Sequence, residues 1–395
     1  MSTAVIAGGG IGGLSVALAL ARVGWRVIVC EQAPELREVG AGIQISPNAA
    51  KCLKSWGLLD AVTAQASTPR EAVMRDGKSG VVIYRAGLGE AGEARWGAPY
   101  LHIHRADLLR ILAEAARSYQ VEIRTGARAE RYWNDTGRAR LVLADGSRID
   151  ADVIVGADGI RSALRGQLNG ADEPRFTDQV AWRGTVPASV LPPGLVDPCT
   201  TVWAGSGRHL VTYFLRGGQL VNFVAVEERE TWEAEGWSRK GEPAELVTAF
   251  ADWHPQVTGL LAHVEECYLW GLFDRPEQVR WVEGRVALLG DAAHPMLPFM
   301  AQGAAMAMED AALLSRLMPP GADIPAALEA WEDRRWHRVT RVQARARANG
   351  RLFHARPGIS RTLRWGPVAT VSRVAPALAE AQLDWLYGHD VAKEL

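Results

Sequence analysis

Residues 4–7 are an unbroken apolar run, and beyond a glycine cluster residues 11–23 continue as an apolar stretch of helical length. A strand buried on both faces reads as a continuous apolar run, so strand, glycine turn and helix is the expected order. Short runs of the same kind recur at 26–30, 153–155 and 286–289, and a helix is expected over 106–119. Strands alternating with helices in this way predict a doubly wound α/β layer around a parallel sheet. The stretch 174–283 has a different rhythm. Apolar and polar residues alternate in short runs at 179–185, 200–203, 209–214 and 220–226, the pattern of an antiparallel sheet. Gly217-Gly218 is a two-residue hairpin signal, and counting back from it pairs Tyr213 with Asn222 and Val211 with Val224. Residues 69–100 are expected to add strands to that sheet.

The pieces sort into a discontinuous α/β unit (1–68, 101–173 and 284–318), an inserted sheet unit (69–100 and 174–283) and a C-terminal helical region (319–395). Met318-Pro319-Pro320-Gly321 reads as the break before the last, with a helix over 324–352 and a tail rich in Pro and Arg after it. Arg334, Arg338, Arg341 and Arg345 fall on one face of that helix. A solvated face or ion pairs to the neighbouring unit are favoured there over an anionic partner.

The glycine cluster Gly8-Gly9-Gly10-Ile11-Gly12-Gly13 is a G-x-G-x-x-G between strand and helix, the context in which it marks a dinucleotide site. Gly8 permits the tight turn, Gly10 lets backbone approach a pyrophosphate, and Gly13 allows close packing of helix on strand. The helix start at Ile11 and Gly12 turns free N–H groups toward phosphate. Glu31, at the end of the second strand, is placed for the ribose hydroxyls of an adenosine, which does not separate FAD from NAD.

Two further motifs do separate them: Gly156-Ala157-Asp158-Gly159-Ile160-Arg161-Ser162, and Gly290-Asp291-Ala292-Ala293-His294-Pro295. With these in order, the chain resembles the FAD-dependent aromatic hydroxylases, the single-component flavoprotein monooxygenases, from residue 3 to about 390. The resemblance implies a mixed α/β fold like that of para-hydroxybenzoate hydroxylase, with a Rossmann-like FAD-binding domain, an inserted antiparallel β-sheet substrate domain and C-terminal helices. It implies FAD as cofactor, NADH or NADPH as co-substrate, and transfer of one oxygen atom of O2 from a flavin C4a-hydroperoxide to a small phenolic or hydroxy-heteroaromatic acid. By the same resemblance Asp158 lies near the pyrophosphate and the nicotinamide approach, Asp291 takes a ribityl hydroxyl, Arg105 lies near the flavin, and Pro298 sits by the reacting flavin edge. Backbone N–H groups of Gln302, Gly303 and Ala304 are expected at the flavin pyrimidine, where negative charge develops on reduction.

On the strand 209–214, alternation puts His209, Val211 and Tyr213 on one face, with Asn222 beside them across the hairpin. This is a plausible lining for a polar-edged ring, although a lone His and Tyr on a strand are more often core. In salicylate, 3-hydroxybenzoate and 6-hydroxynicotinate hydroxylases a similar His-x-x-x-Tyr stands here with one of the two beside the substrate hydroxyl. His209 and Tyr213 are therefore the candidate acid–base groups. The 6-hydroxynicotinate type has histidines where this chain has Gln44 and Phe299, and the 3-hydroxybenzoate type has Gln where this chain has Pro298. No one substrate class matches all three positions. Arg183 is a candidate partner for a substrate carboxylate, or equally an interdomain arginine.

Composition narrows the partners. With 48% hydrophobic residues, 23% charged and a net charge of −1, the chain lacks the basic excess of a nucleic-acid binder. Its four cysteines are scattered without C-x-x-C, which argues against a disulfide framework or zinc site, and no histidine pair, His102 and His104 included, has metal-ligand spacing. Residues 4–21 mimic a signal peptide, but no Lys or Arg precedes them and five glycines interrupt them, so a cytoplasmic monomer or homodimer without a membrane span is expected. Two rival readings use the same flavin half: a reductase or oxidase that transfers no oxygen, and a non-enzymatic flavin redox sensor.

Overall fold

The computed structural model describes residues 1–36, 41–170, 173–232, 239–275 and 279–394. At its centre Thr3–Ala7 lies between Val153–Gly156 and Arg26–Cys30, parallel to both. Glu122–Arg124 and Val286–Leu288 extend this sheet in parallel, and the short Val282–Glu283 closes one edge antiparallel. Its central strands are largely apolar because helices cover both faces, leaving Val5, Ile6, Ala7, Ile154 and Val155 with no exposure. The helix Ile11–Arg22 packs between Arg105–Ser118 and Gly303–Leu317.

Two parts assigned to this layer depart from it, the first being Gly42–Ile45 and Leu101–His104, which pair antiparallel in a sheet of their own. Ala129–Asn134, Ala139–Leu143 and Arg148–Ala151 form a separate three-stranded antiparallel sheet. The turns between them are tied by aspartates: Asp135 Oδ1 accepts from Gly137 and Arg138 N–H, and Asp145 Oδ1 from Ser147 N–H. Such Asp-closed turns hold hairpins, and the burial alternates along Arg148–Ala151 as a half-covered strand requires.

The second large sheet has eight strands in the order Lys240–Gly241, Cys267–Asp274, Arg175–Pro187, Leu220–Glu228, Arg208–Leu215, Thr200–Gly205, Glu71–Asp76 and Val82–Gly87. The last two come from the smaller insertion, and Glu71–Asp76 joins parallel to Thr200–Gly205. Tyr213 faces Asn222 and Val211 faces Val224, the register counted from the glycine pair. The loop itself is longer than that signal implies. Arg216, Gly217 and Gly218 all have positive φ, so the ladder stops at Leu215–Leu220 and four residues turn the chain. One face, with Trp182, Trp203, Leu210 and Phe223, packs on the helices Pro243–Ala249 and Pro255–Leu261. The other looks toward the first layer.

The long helix Ile324–Phe353 follows the proline break, with Asp323 accepting from Ala326 N–H at its start. The tail beyond it is also helical, in Ile359–Val374, Pro376–Ala381 and Asp384–Tyr387. Trp365, buried and donating to the Leu352 carbonyl, anchors it, and it packs on Val82–Gly87. The arginine face serves this docking: Arg334 donates to the Glu394 carbonyl, Arg338 pairs with Glu309, and Arg341 lies 4.0 Å over the Trp385 ring. No helix among the described residues is long and apolar enough to cross a membrane.

Candidate active site

A cavity of about 790 Å³ runs between the two layers, in the upper part of the range of roughly 300–1,000 Å³ usual for small-molecule sites. Gly10, Ile11 and Gly12 border one end. A Cβ on Gly8 (φ +105°) would stand 2.3 Å from the Ala157 carbonyl oxygen, and one on Gly13 would stand 2.0 Å from the Gly8 oxygen. A Cβ on Gly10 would meet nothing within 4 Å, so the backbone there is open to the cavity. Glu31 lies behind this loop, its Oε2 accepting from Gly9 N–H at 2.6 Å and its Oε1 from Ala33 N–H at 2.8 Å.

Asp158 also stands behind the wall, which Ala157, Gly159, Ile160 and Arg161 form. Its Oδ2 accepts from Ala163 and Leu164 N–H while Oδ1 is buried without a partner, and burial raises its pKa. Asp291 borders the cavity. It is enclosed by protein but its side chain is bare toward the open space; burial raises its pKa while nearby Arg105 and His294 pull it back. The helix Gly303–Leu317 begins at the cavity wall with no side chain capping its first turn. Gln302 is engaged elsewhere: Nε2 donates to Ser46 Oγ, and Oε1 accepts from Asn48 Nδ2. Pro298 and Phe299 form a 3₁₀ turn on the wall just before it.

Behind that helix lies a buried charge cluster that the sequence did not disclose. Arg335 Nη1 donates to Glu309 Oε2 and its Nε to Asp310 Oδ1, both at 2.7 Å, with all three side chains fully buried. Arg338 holds both oxygens of Glu309, Asn48 Nδ2 donates to Glu309 Oε1, and Asp310 Oδ2 takes Gly290 N–H and His294 Nε2. Burial alone would raise both carboxyls, but Arg335, with Arg338 at Glu309 and His294 at Asp310, outweighs it and holds them below their usual range. The available cue was an acidic pair inside an otherwise apolar helix.

The sheet contributes Arg183, His209, Val211, Tyr213, Val224 and Val226 to the far wall. Arg183 is half-buried, its guanidinium carbon 4.4 Å over the Trp270 ring, and among the described residues no carboxylate lies within ion-pair distance of it. Burial, with Arg105 nearby, lowers its pKa to about 10. His209 is buried with Phe299 and Phe353 around its ring, and its Nδ1 is 2.7 Å from His354 Nε2. Burial, reinforced by His354, keeps it well below the usual imidazole range. The Tyr213 hydroxyl is hydrogen-bonded to Gln44, whose Oε1 accepts from Tyr100 at 2.5 Å, and its ring lies 4.4 Å from that of His102. Burial raises the Tyr213 pKa strongly.

Asn222 shares the face of Tyr213 but does not border the cavity. Its Oδ1 accepts from Gly42 N–H at 2.6 Å, tying the sheet to the strand Gly42–Ile45, so the structure gives it a bridging place instead of the expected lining one. Trp270, Tyr100, His354 and Glu228 entered no sequence argument as site residues. His354 had no nearby ligand spacing, and its partner stands 145 residues away.

A loop opened by Gly8, bare at Gly10 and packed at Gly13, with an uncapped helix end and an unengaged carboxylate at Asp291, suits a dinucleotide carrying a flavin. The FAD binding domain family matches residues 1–346. The chain is 39% identical to 3-amino-4-hydroxybenzoate 2-monooxygenase PtmB3 of Streptomyces platensis, over 98% of this chain and 96% of that one. It is 37% identical to 3-hydroxybenzoate 6-hydroxylase 1 of Aquipseudomonas alcaligenes, over 99% and 98%. A solved salicylate hydroxylase substrate complex superposes with a TM-score of 0.84 at 28% identity, over 99% and 96%. The protein is thus a flavoprotein, with FAD as its cofactor. It belongs to the FAD-dependent aromatic hydroxylases, a monooxygenase family.

Proposed function

We propose that this enzyme hydroxylates a small aromatic acid whose ring carries a hydroxyl, a hydroxybenzoate or hydroxynicotinate, using O2 and NADH or NADPH. The observation that carries this reading is Arg183, a half-buried cation without a carboxylate partner among the described residues, on a wall where Val211, Val224, Val226 and Trp270 stand beside His209 and Tyr213. A guanidinium there takes a substrate carboxylate in two parallel hydrogen bonds and restores its lost solvation. The relatives' named substrates each combine a ring with a carboxylate and a hydroxyl, which supports the assignment.

Bound FAD supplies the redox chemistry, accepting hydride from the nicotinamide and activating O2. Gly10 and the first turn at Ile11 and Gly12 would hold the pyrophosphate, Asp291 the ribityl chain, and Glu31 the adenosine ribose. The helix start at Gly303 and Ala304 would favour negative charge on the ring system. Arg183 orients the acid, Phe299 and the valines exclude water, and neutral His209 accepts the hydroxyl proton, making the ring more nucleophilic. Tyr213, held by Gln44, positions that hydroxyl, and Pro298 shapes the wall beside the reacting edge.

The test is rapid mixing of the FAD-loaded enzyme with NADH or NADPH in the presence of 3-hydroxybenzoate, 3-amino-4-hydroxybenzoate, 6-hydroxynicotinate or their carboxamides, with product analysis. Acids are expected to accelerate flavin bleaching and to emerge hydroxylated, and carboxamides to do neither. Equal bleaching with and without every acid, and no hydroxylated product, would overturn the reading in favour of a reductase.

A further inference from the structure

His209 raises a question of where its proton goes. It is 2% exposed, and its ring neighbours are Phe299, Phe353 and His354. A cation formed there has no carboxylate beside it, and a buried unpaired charge is strongly disfavoured. Among the described residues the one polar exit is His354. His209 Nδ1 lies 2.7 Å from His354 Nε2, and His354 Nδ1 lies 3.1 Å from Glu228 Oε1. His354 is itself buried, whereas the Glu228 side chain is 39% exposed, with Arg356 Nη2 3.5 Å from its other oxygen. The three side chains form one unbroken hydrogen-bonded line from the cavity wall to the surface.

The direction of each bond follows from its outer end. Glu228 as a carboxylate only accepts, so His354 carries its proton on Nδ1. Its Nε2 is then an acceptor, and His209 must donate to it from Nδ1. That leaves His209 Nε2 as a lone pair, without a hydrogen-bond partner among the described residues, on a side chain that borders the cavity. An exposed carboxylate thus sets the tautomer of a buried base through a second imidazole.

We propose that Glu228 and His354 are a proton relay linking His209 to solvent, so that the proton of the substrate hydroxyl leaves the cavity through the protein. The proposal rests on the assignment of His209 as the acceptor. The hydroxyl proton passes to His209 Nε2, the Nδ1 proton of His209 to His354 Nε2, and the Nδ1 proton of His354 to Glu228 Oε1 and then water. One O–H bond is broken, one proton is delivered to solvent, and the ring oxygen keeps the electron pair. The reverse sequence returns a proton to the product oxygen and restores both tautomers. His354 is also the residue that ends the 30-residue helix Ile324–Phe353, where the partial negative charge favours an imidazolium. Glu228 opposes the lowering of the His354 pKa by burial, whereas His209 has no such support, so the passing charge rests more easily at His354. Among the described residues the charged or titratable groups facing the two rings are Glu228 and each other, with Arg356 beyond Glu228.

The experiment mixes FAD-loaded enzyme with 3-hydroxybenzoate in weak buffer containing phenol red, following proton release and, by the flavin spectrum, binding. Wild type is expected to release a proton as 3-hydroxybenzoate binds. His209→Gln should bind 3-hydroxybenzoate but release none. His354→Gln keeps an amide to bond His209 but cannot carry a proton, so it should bind normally and release about 10²-fold more slowly, with recovery on adding imidazole. Glu228→Gln, at the surface, should slow release without changing binding. Release by His209→Gln at the wild-type rate, or none from wild type, would overturn the acceptor assignment and the relay with it. No release from His209→Gln together with wild-type release from both His354→Gln and Glu228→Gln would overturn the relay alone.

Discussion

His294 Nε2 and Asp310 Oδ2 are joined at 2.6 Å, both side chains almost wholly buried. The bond fastens the loop that carries Asp291 to the helix whose first turn faces the cavity. Asp310 also holds Gly290 N–H and Arg335, so the geometry of the wall around Asp291 depends on charges sealed behind it.

Arg335→Ala should therefore be costly. It leaves Asp310 with His294 alone and Glu309 with Arg338 alone, and breaking such a buried cluster destabilises by about 3–5 kcal/mol. Replacing Arg335, Glu309 and Asp310 together by Met, Gln and Asn should recover much of that loss. Urea unfolding followed by tryptophan fluorescence measures both. A loss below about 1 kcal/mol, the size of an exposed pair, would show that the cluster is not the anchor.

Acid should weaken the fold in two windows. His102 has its pKa lowered to about 3 by burial, so below about pH 6.5 the unfolded chain takes a proton there and the folded chain does not. Stability is then lost from about 6.5 downward, at up to roughly 1.4 kcal/mol per pH unit for that group. Glu309 and Asp310, held below their usual range, contribute fully above about pH 5 and lose their contribution as pH falls further. Unfolding midpoints of His102→Gln across pH 5–7 should be flatter than those of wild type. An identical slope would show that His102 stays protonatable in the folded chain.

Gly10→Ala and Gly13→Ala should fail in different ways. The Cβ of Ala at 13 would sit 2.0 Å from the Gly8 oxygen, so the helix must move and the apoprotein should lose stability. At 10 the Cβ enters open space, where only a bound pyrophosphate would meet it. Calorimetry of the apoproteins and FAD titration separate the two effects. Undiminished FAD affinity in Gly10→Ala would place the phosphates elsewhere.

Arg183→Gln is expected to raise KM for an accepted aromatic acid by about 10- to 100-fold, as for losing a charged hydrogen bond worth roughly 1.5–3 kcal/mol. FAD affinity should hold. Steady-state kinetics on acids and carboxamides checks this, and an unchanged preference for the acid would move the carboxylate site away from Trp270.

What was legible in the chain was what local spacing controls. The turn at Gly8, the open side of Gly10 and the close packing of Gly13 follow from six consecutive residues. The facing of Tyr213 and Asn222 follows from strand period and the hairpin position. Which of these residues is free to meet a ligand does not. Asn222 is taken by Gly42 and His209 by His354, across 180 and 145 residues, and Glu309 meets Arg335 only because two helices pack. Such pairings have no sequence period. The bounds of the helices beyond residue 353 were not legible, because those helices are held by Trp365 and by docking on the sheet, not by a clear apolar stripe.

The cavity wall includes Asn349, Phe353, Val368, Trp385 and Tyr387, all beyond residue 346, where the family match ends. The glycine loop Gly8–Gly13 and Asp291 lie wholly inside it. Two parts of one cavity wall thus come from separate stretches of chain, and drift in the terminal helices can redraw the one without a single change at the other.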